Sequence, residues 1–153
     1  MLAAGADAPS FQLGDLAGKQ HALADLLAEG PVLVALYKIS CPVCQMTLPH
    51  LERLSKGSLR VIGISQDDER GTAFFHQKFG ATMAALLDRE ESGYPVSNAF
   101  GISHVPSLFL IEPDGVISLA SAGFVKSDLE AIGRRAGVAA FLPGENVPEW
   151  KAG

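Results

Sequence analysis

The two cysteines of this 153-residue chain, Cys41 and Cys44, stand three positions apart directly after an unbroken apolar run. That junction limits the fold more than any other stretch. Val32, Leu33, Val34, Ala35, Leu36 and Tyr37 follow Pro31 and are rich in β-formers, the pattern of a strand buried on both faces. Beyond the cysteines, Met46, Leu48, Leu51 and Leu54 recur at helical spacing, so the pair falls at the first turn of a helix that continues to about Lys56 and Gly57. A helix start presents unpaired N–H groups and the positive end of the dipole, both of which favour an anion. Pro42 suits the first helical position, whereas Pro49 removes a hydrogen bond further in.

This placement suits thiol–disulfide exchange. Cys41, exposed at the helix start, attacks a substrate disulfide; Cys44, one turn in and more buried, then releases the mixed disulfide. The competing readings of the pair are weaker. A structural disulfide across so short a loop contributes little, and a chain of this length buries a core without staples. Zinc needs two further ligands, and no second C-x-x-C or H-x-x-x-H is present, so no metal is expected.

Charge excludes another class of function. With a net charge of -5 and 12 scattered Lys and Arg, the chain lacks the basic patch that phosphate contacts require, so no nucleic-acid partner is expected. No apolar run approaches the ~20 residues of a membrane span. Residues 1–5 lack the charged and apolar regions of a signal peptide, which reads as cytoplasmic as the chain stands, or exported if a leader has been removed.

Along the chain, the first structured residues are expected near Ala8. Turn signals around Leu16 predict a short hairpin over 11–19, and Leu23, Leu26 and Leu27 predict a helix over 21–29. Residues 59–65 read as a second buried strand, 71–79 as a helix with Phe74, Phe75 and Phe79 inward, 86–88 as a short strand and 94–100 as a short helix. Residues 107–111 and 116–119 flank Glu112-Pro113-Asp114-Gly115 and predict a hairpin, followed by an amphipathic helix over 126–136. Phe141 and Trp150 are expected to pack an irregular tail onto the domain. The order predicts an α/β fold with a central mixed sheet, as one domain over 1–153 with a core of 8–136 and an extension of 137–153.

The run from Val34 to Pro49, with a proline five residues after the second cysteine, resembles the active-site strand and helix of the thioredoxin superfamily. Val105-Pro106 matches the position of that superfamily's cis-proline, and the N-terminal hairpin with an inserted helix near 71–79 is similar to its TlpA-like and AhpC/TSA-like branch. The resemblance implies a three-layer thioredoxin-like fold and a dithiol–disulfide oxidoreductase without a cofactor. Cys41 and Cys44 would then be catalytic, and Val105 and Pro106 would bind the substrate peptide. The partners implied are protein thiols or disulfides and an electron donor or acceptor protein, with the chain itself a monomer.

Three departures from the family pattern stand out. Ala35 and Thr47 occupy the positions where relatives carry an acid beside the second thiol, leaving Asp88 as a more distant candidate, and Ser40 replaces an aromatic residue. A thiol peroxidase with Cys41 peroxidatic is the alternative, against which Lys38 stands where such enzymes carry threonine. A non-catalytic binding module is the third reading. His21, His50 and His76 read as surface residues, His104 as a candidate neighbour of the sulfurs, and Asp67, Asp68, Glu69 and Arg70 as a solvated helix start.

Overall fold

The computed structural model describes residues 1–153 and opens with an antiparallel pair, β1 (Gln12–Gly14) and β2 (Gln20–Ala22), in which Leu13 faces His21. The expected hairpin is present, but its return strand takes His21 and Ala22 from the segment read as helix. Asp15 is the reason. Its carboxylate accepts from the Ala17 and Lys19 N–H groups and bonds the His21 ring at 2.8 Å, which wraps the turn and holds His21 extended. Helix α1 is left with Leu23–Leu27.

The apolar run forms β3 (Val32–Tyr37), buried at every position, and leads into α2 (Pro42–Leu54). Next come β4 (Arg60–Ser65), α3 (Glu69–Lys78) and β5 (Ala84–Leu87), then a 3-10 turn at Glu90–Ser92 and α4 (Pro95–Ala99). The hairpin β6 (Ser107–Ile111) and β7 (Ile117–Ala122) follows, with β8 (Phe124–Val125) and α5 (Lys126–Ala136) behind it. A last short strand, β9 (Trp150–Lys151), returns to pair antiparallel with β8.

The central sheet runs β5-β4-β3-β6-β7. Its first three strands are parallel, while β6 is antiparallel to both of its neighbours. Successive residues of β3 serve opposite faces, as the two-residue period demands. Leu33, Ala35 and Tyr37 pack with Leu48 and Leu51 of α2 and Leu129 and Ile132 of α5, whereas Val32, Val34 and Leu36 pack with Leu26 of α1 and Val96 of α4. Helices thus cover both faces in the three-layer arrangement expected. Full burial stabilises each such Val or Leu by about 1.5–3 kcal/mol, so the C-terminal end of β3 is firmly held where it delivers Cys41.

Residues before Ala8 are also engaged, contrary to expectation: the Gly5 N–H donates to the Ile117 carbonyl and the Ile117 N–H to the Ala6 carbonyl, along the outer side of β7. Phe74 is another correction. It is 65% exposed, because Phe75 and Phe79 share the inner face of α3 at four-residue spacing and the position before Phe75 turns outward.

His50 and His76 are buried rather than superficial. The His50 Nδ1 lies 3.0 Å from the Ala140 carbonyl and its ring 4.7 Å from that of Phe141, so the C-terminal extension covers it. His76 meets the Tyr37 hydroxyl 2.5 Å from its Nε2, and burial holds its protonation below the usual histidine range. Trp150, expected to anchor the tail by packing, is 61% exposed; the tail is held there by main-chain pairing instead.

Candidate active site

Cys41 is the N-cap of α2, with extended backbone, and Pro42 occupies the first helical turn. Its Sγ accepts the Cys44 N–H at 3.3 Å, taking one of the donors that a helix start leaves unpaired. Cys41 is partly exposed, whereas Cys44 is 2% exposed and packs among the core residues around Tyr37 and Leu48. Burial pushes the Cys44 thiol well up, and the neighbouring Cys41 and the charge of Asp67 add to the effect against a backbone hydrogen bond at Lys38. One sulfur is therefore partly open and receives one helix N–H, and the other is held as a thiol.

The opposite wall is the loop before β6. The Val105–Pro106 peptide bond is cis, and the Cys41 thiol donates to the Val105 carbonyl at 3.4 Å. Positions 64 residues apart in sequence thus meet at the Cys41 sulfur. Pairing of β3 with β6 brings them together: Leu36 faces Ser107, so the residues that follow β3 and precede β6 emerge at one end of the sheet. His104 lies in this loop, exposed, with its Nδ1 2.8 Å from the Ser103 hydroxyl.

The positions lacking an acid are filled as follows. Ala35 is fully buried under α2, and the buried Thr47 donates its hydroxyl to the Val43 carbonyl at 2.7 Å, back along its own helix. Asp88 is no substitute. Its carboxylate accepts from the Val96 and Ser97 N–H groups and the Ser97 hydroxyl, so it is committed to the start of α4.

The carboxylate that acts on the site is Asp67, from the run read as a solvated helix start. Asp68, Glu69 and Arg70 behave as that reading expects, exposed at the start of α3, with Asp68 capping the helix through the Gly71 N–H at 2.8 Å. Asp67 turns inward and accepts from the Ile39 N–H at 2.8 Å, while the Gln45 side chain donates to the Ile39 carbonyl at 2.9 Å. Both main-chain groups of Ile39 are thus held by side chains, which fixes the bend between β3 and α2. The Asp67 and Gln45 roles were not read from the sequence; the adjacency of Gln45 to the second cysteine was the available signal. Beside this bend a charged hollow of about 380 Å³ opens between Lys38, Asp67 and Arg89. No three His, Cys, Asp or Glu side chains gather to hold a metal ion, and no helix is long and apolar enough to cross a membrane.

Comparison with known proteins agrees with this geometry. The profile of the AhpC/TSA family matches residues 4–120. The thiol-disulfide oxidoreductase ResA of Geobacillus thermodenitrificans is 28% identical over 141 residues, covering 86% of this chain and 79% of that protein. The thiol:disulfide interchange protein DsbE of Escherichia coli is 31% identical over 121 residues, covering 78% of this chain and 65% of that protein. Among solved structures, the thioredoxin domain of a Bacteroides vulgatus thiol-disulfide oxidoreductase superposes with a TM-score of 0.77 at 22% identity, covering 89% of this chain and 99% of that one. The peroxidoxin BcpB of Mycobacterium tuberculosis gives 0.72 at 23%, covering 89% and 94%. At those identities the structures speak for the fold alone, which oxidoreductase and peroxidase share.

Proposed function

The chain belongs to the AhpC/TSA family, and on that premise we propose that it is a thiol–disulfide oxidoreductase acting on protein disulfides or dithiols through Cys41 and Cys44. The observation that carries the reading is the Cys41 sulfur at the N-cap of α2, receiving the Cys44 N–H on one side and touching the Val105 carbonyl on the other.

In the reductive direction, the Cys41 thiolate attacks one sulfur of a substrate disulfide. A mixed disulfide forms, and the other substrate sulfur leaves as a thiolate that takes up a proton. Cys44 then gives up its proton and attacks the Cys41 sulfur. The second substrate thiol departs, and the chain retains a Cys41–Cys44 disulfide. The substrate has gained two electrons and two protons, which a partner dithiol protein restores to the pair by the same exchange in reverse.

Preorganisation divides the labour between the sulfurs. Cys41 is met by a helix N–H before any substrate arrives, whereas Cys44 is held protonated by burial and enters only after a base removes its proton. Val105 and Pro106 are assigned to the substrate backbone, because they form the wall facing the nucleophile. The peroxidase alternative has less support: Lys38 stands where its threonine is expected, and the sequence relatives described above carry oxidoreductase names.

The test is reduction of insulin disulfides with dithiothreitol as electron source. The Cys41→Ser variant is expected to be no faster than dithiothreitol alone, and wild-type activity in that variant would refute the assignment.

A further inference from the structure

Residues 137–153 are not a loose appendage but a strap that leads from the end of α5 across α2 to the cysteine site. Arg53 of α2 donates through both terminal nitrogens to the Glu145 carboxylate at 2.8 Å and to the Ala140 carbonyl at 3.0 Å. The Lys126 N–H donates to the Glu149 carbonyl at 3.0 Å, and β9 then pairs with β8, Trp150 facing Val125 and Lys151 facing Phe124.

The end of the strap reaches the wall opposite the nucleophile. A Cβ added to Gly153 would overlap the Val105 carbonyl and lie 2.8 Å from its carbon and 3.3 Å from the Val105 nitrogen. That carbonyl is the one the Cys41 thiol touches. On the other side Gly123, with φ of +78°, donates its N–H to the Pro106 carbonyl at 2.8 Å, and a Cβ there would overlap the Lys151 carbonyl. Two glycines therefore let an extended segment lie flat between β8 and Val105, beside the reactive sulfur.

Residues 148–153 are all exposed, so main-chain contact rather than side-chain burial holds this segment. Main-chain pairing at an open edge is how a sheet accepts an extended peptide of arbitrary sequence. It is also an arrangement that opens locally without disturbing the core.

Resting on the oxidoreductase reading, we propose that the edge formed by β8, Gly123 and Val105 is the docking edge for the substrate polypeptide, and that Trp150–Gly153 occupy it as an internal stand-in. The substrate class that fits is an extended protein segment with a small residue where it crosses Val105. Such a segment reaches Cys41 by displacing the strap, which makes residues 150–153 a competitor built into the chain.

Deletion of residues 150–153 tests this, with insulin as a protein disulfide and hydroxyethyl disulfide as a small one that needs no strand pairing. If the open edge is populated less than a third of the time, the deletion raises kcat/KM for insulin about threefold or more through a lower KM, and by less for hydroxyethyl disulfide. Gly153→Val, whose side chain overlaps Val105, gives the same direction in a full-length chain. A synthetic peptide of residues 145–153 then inhibits insulin reduction by the deletion protein competitively. An unchanged or raised KM for insulin in both variants, or failure of the peptide to compete, overturns the docking edge while leaving the oxidoreductase reading intact. Inactivity of the wild type toward both disulfides overturns that reading itself.

Discussion

The two walls of the cysteine site are built by opposite means. The Cys41 wall is built chiefly from one stretch: within about a dozen residues, a buried strand, a helix start, Pro42 and the Gln45 contact to Ile39 set the sulfur in place, joined by Asp67 from 28 positions away. The Val105 wall is assembled from afar, by β6 next to β3, by Gly123 against Pro106, and by the strap whose last residues lie on Val105. The first wall is rooted in side chains excluded from water, and the second ends in residues that all face it. A rigid nucleophile opposed to a displaceable rim is an arrangement that keeps the chemistry constant while admitting varied polypeptides.

The comparison breaks most easily at the root of the first wall. Leu54 is fully buried at the end of α2, and Leu54→Ala is expected to cost about 2–5 kcal/mol through lost transfer energy and the cavity left behind. Denaturant unfolding measures this; a cost below about 1 kcal/mol would show that α2 is not anchored as described.

The two ends of the pH scale address the two walls separately. Burial raises Cys44 above its ordinary 9.0 in the folded protein, so the folded state keeps a proton that the unfolded chain releases. That contribution is complete below about pH 9 and is lost as pH rises further. The reduced protein should therefore lose thermal stability above pH 9 more steeply than the Cys41–Cys44 disulfide form, which has no such thiol. Buried Tyr37, also raised, acts in both forms and drops out of the difference.

At the strap the sign reverses. The Arg53 guanidinium holds the Glu145 carboxyl at about 2, down from 4.5, so the anchor is fully present above pH 4.5 and is lost as pH falls toward 2. Acid should loosen residues 142–151 before the core, seen as earlier hydrogen exchange there than in β3. Arg53→Ala at neutral pH is the smallest perturbation. The pair is partly exposed, and such pairs contribute about 0–1 kcal/mol, so global stability should barely change while the strap exchanges faster. Equal protection of the strap in the variant and the wild type would contradict its anchoring.

The same contrast explains what the sequence disclosed. The three-layer fold and the cysteine pair were legible because β3 and α2 carry their periodicities in consecutive residues, and Pro42 and Pro49 lie close by. His50 was misread because what buries it, Phe141 and the Ala140 carbonyl, comes from a part of the chain with no periodic pattern. Asp67 was misread because its neighbours in sequence are solvated, whereas its own partner is Ile39, 28 positions away. The N-terminal hairpin was displaced by a local contact instead: one carboxylate, Asp15, outweighed the leucine spacing that made His21 look helical. Side chains that bond to distant main chain leave no local signature.

The division of labour between the two sulfurs is the claim on which the rest depends, and trapping measures it directly. The Cys44→Ser protein, mixed with a disulfide-bearing polypeptide and examined by mass spectrometry without reductant, should accumulate one mixed disulfide per chain, located at Cys41. No adduct at Cys41, or multiple turnover at the wild-type rate without Cys44, would contradict the account.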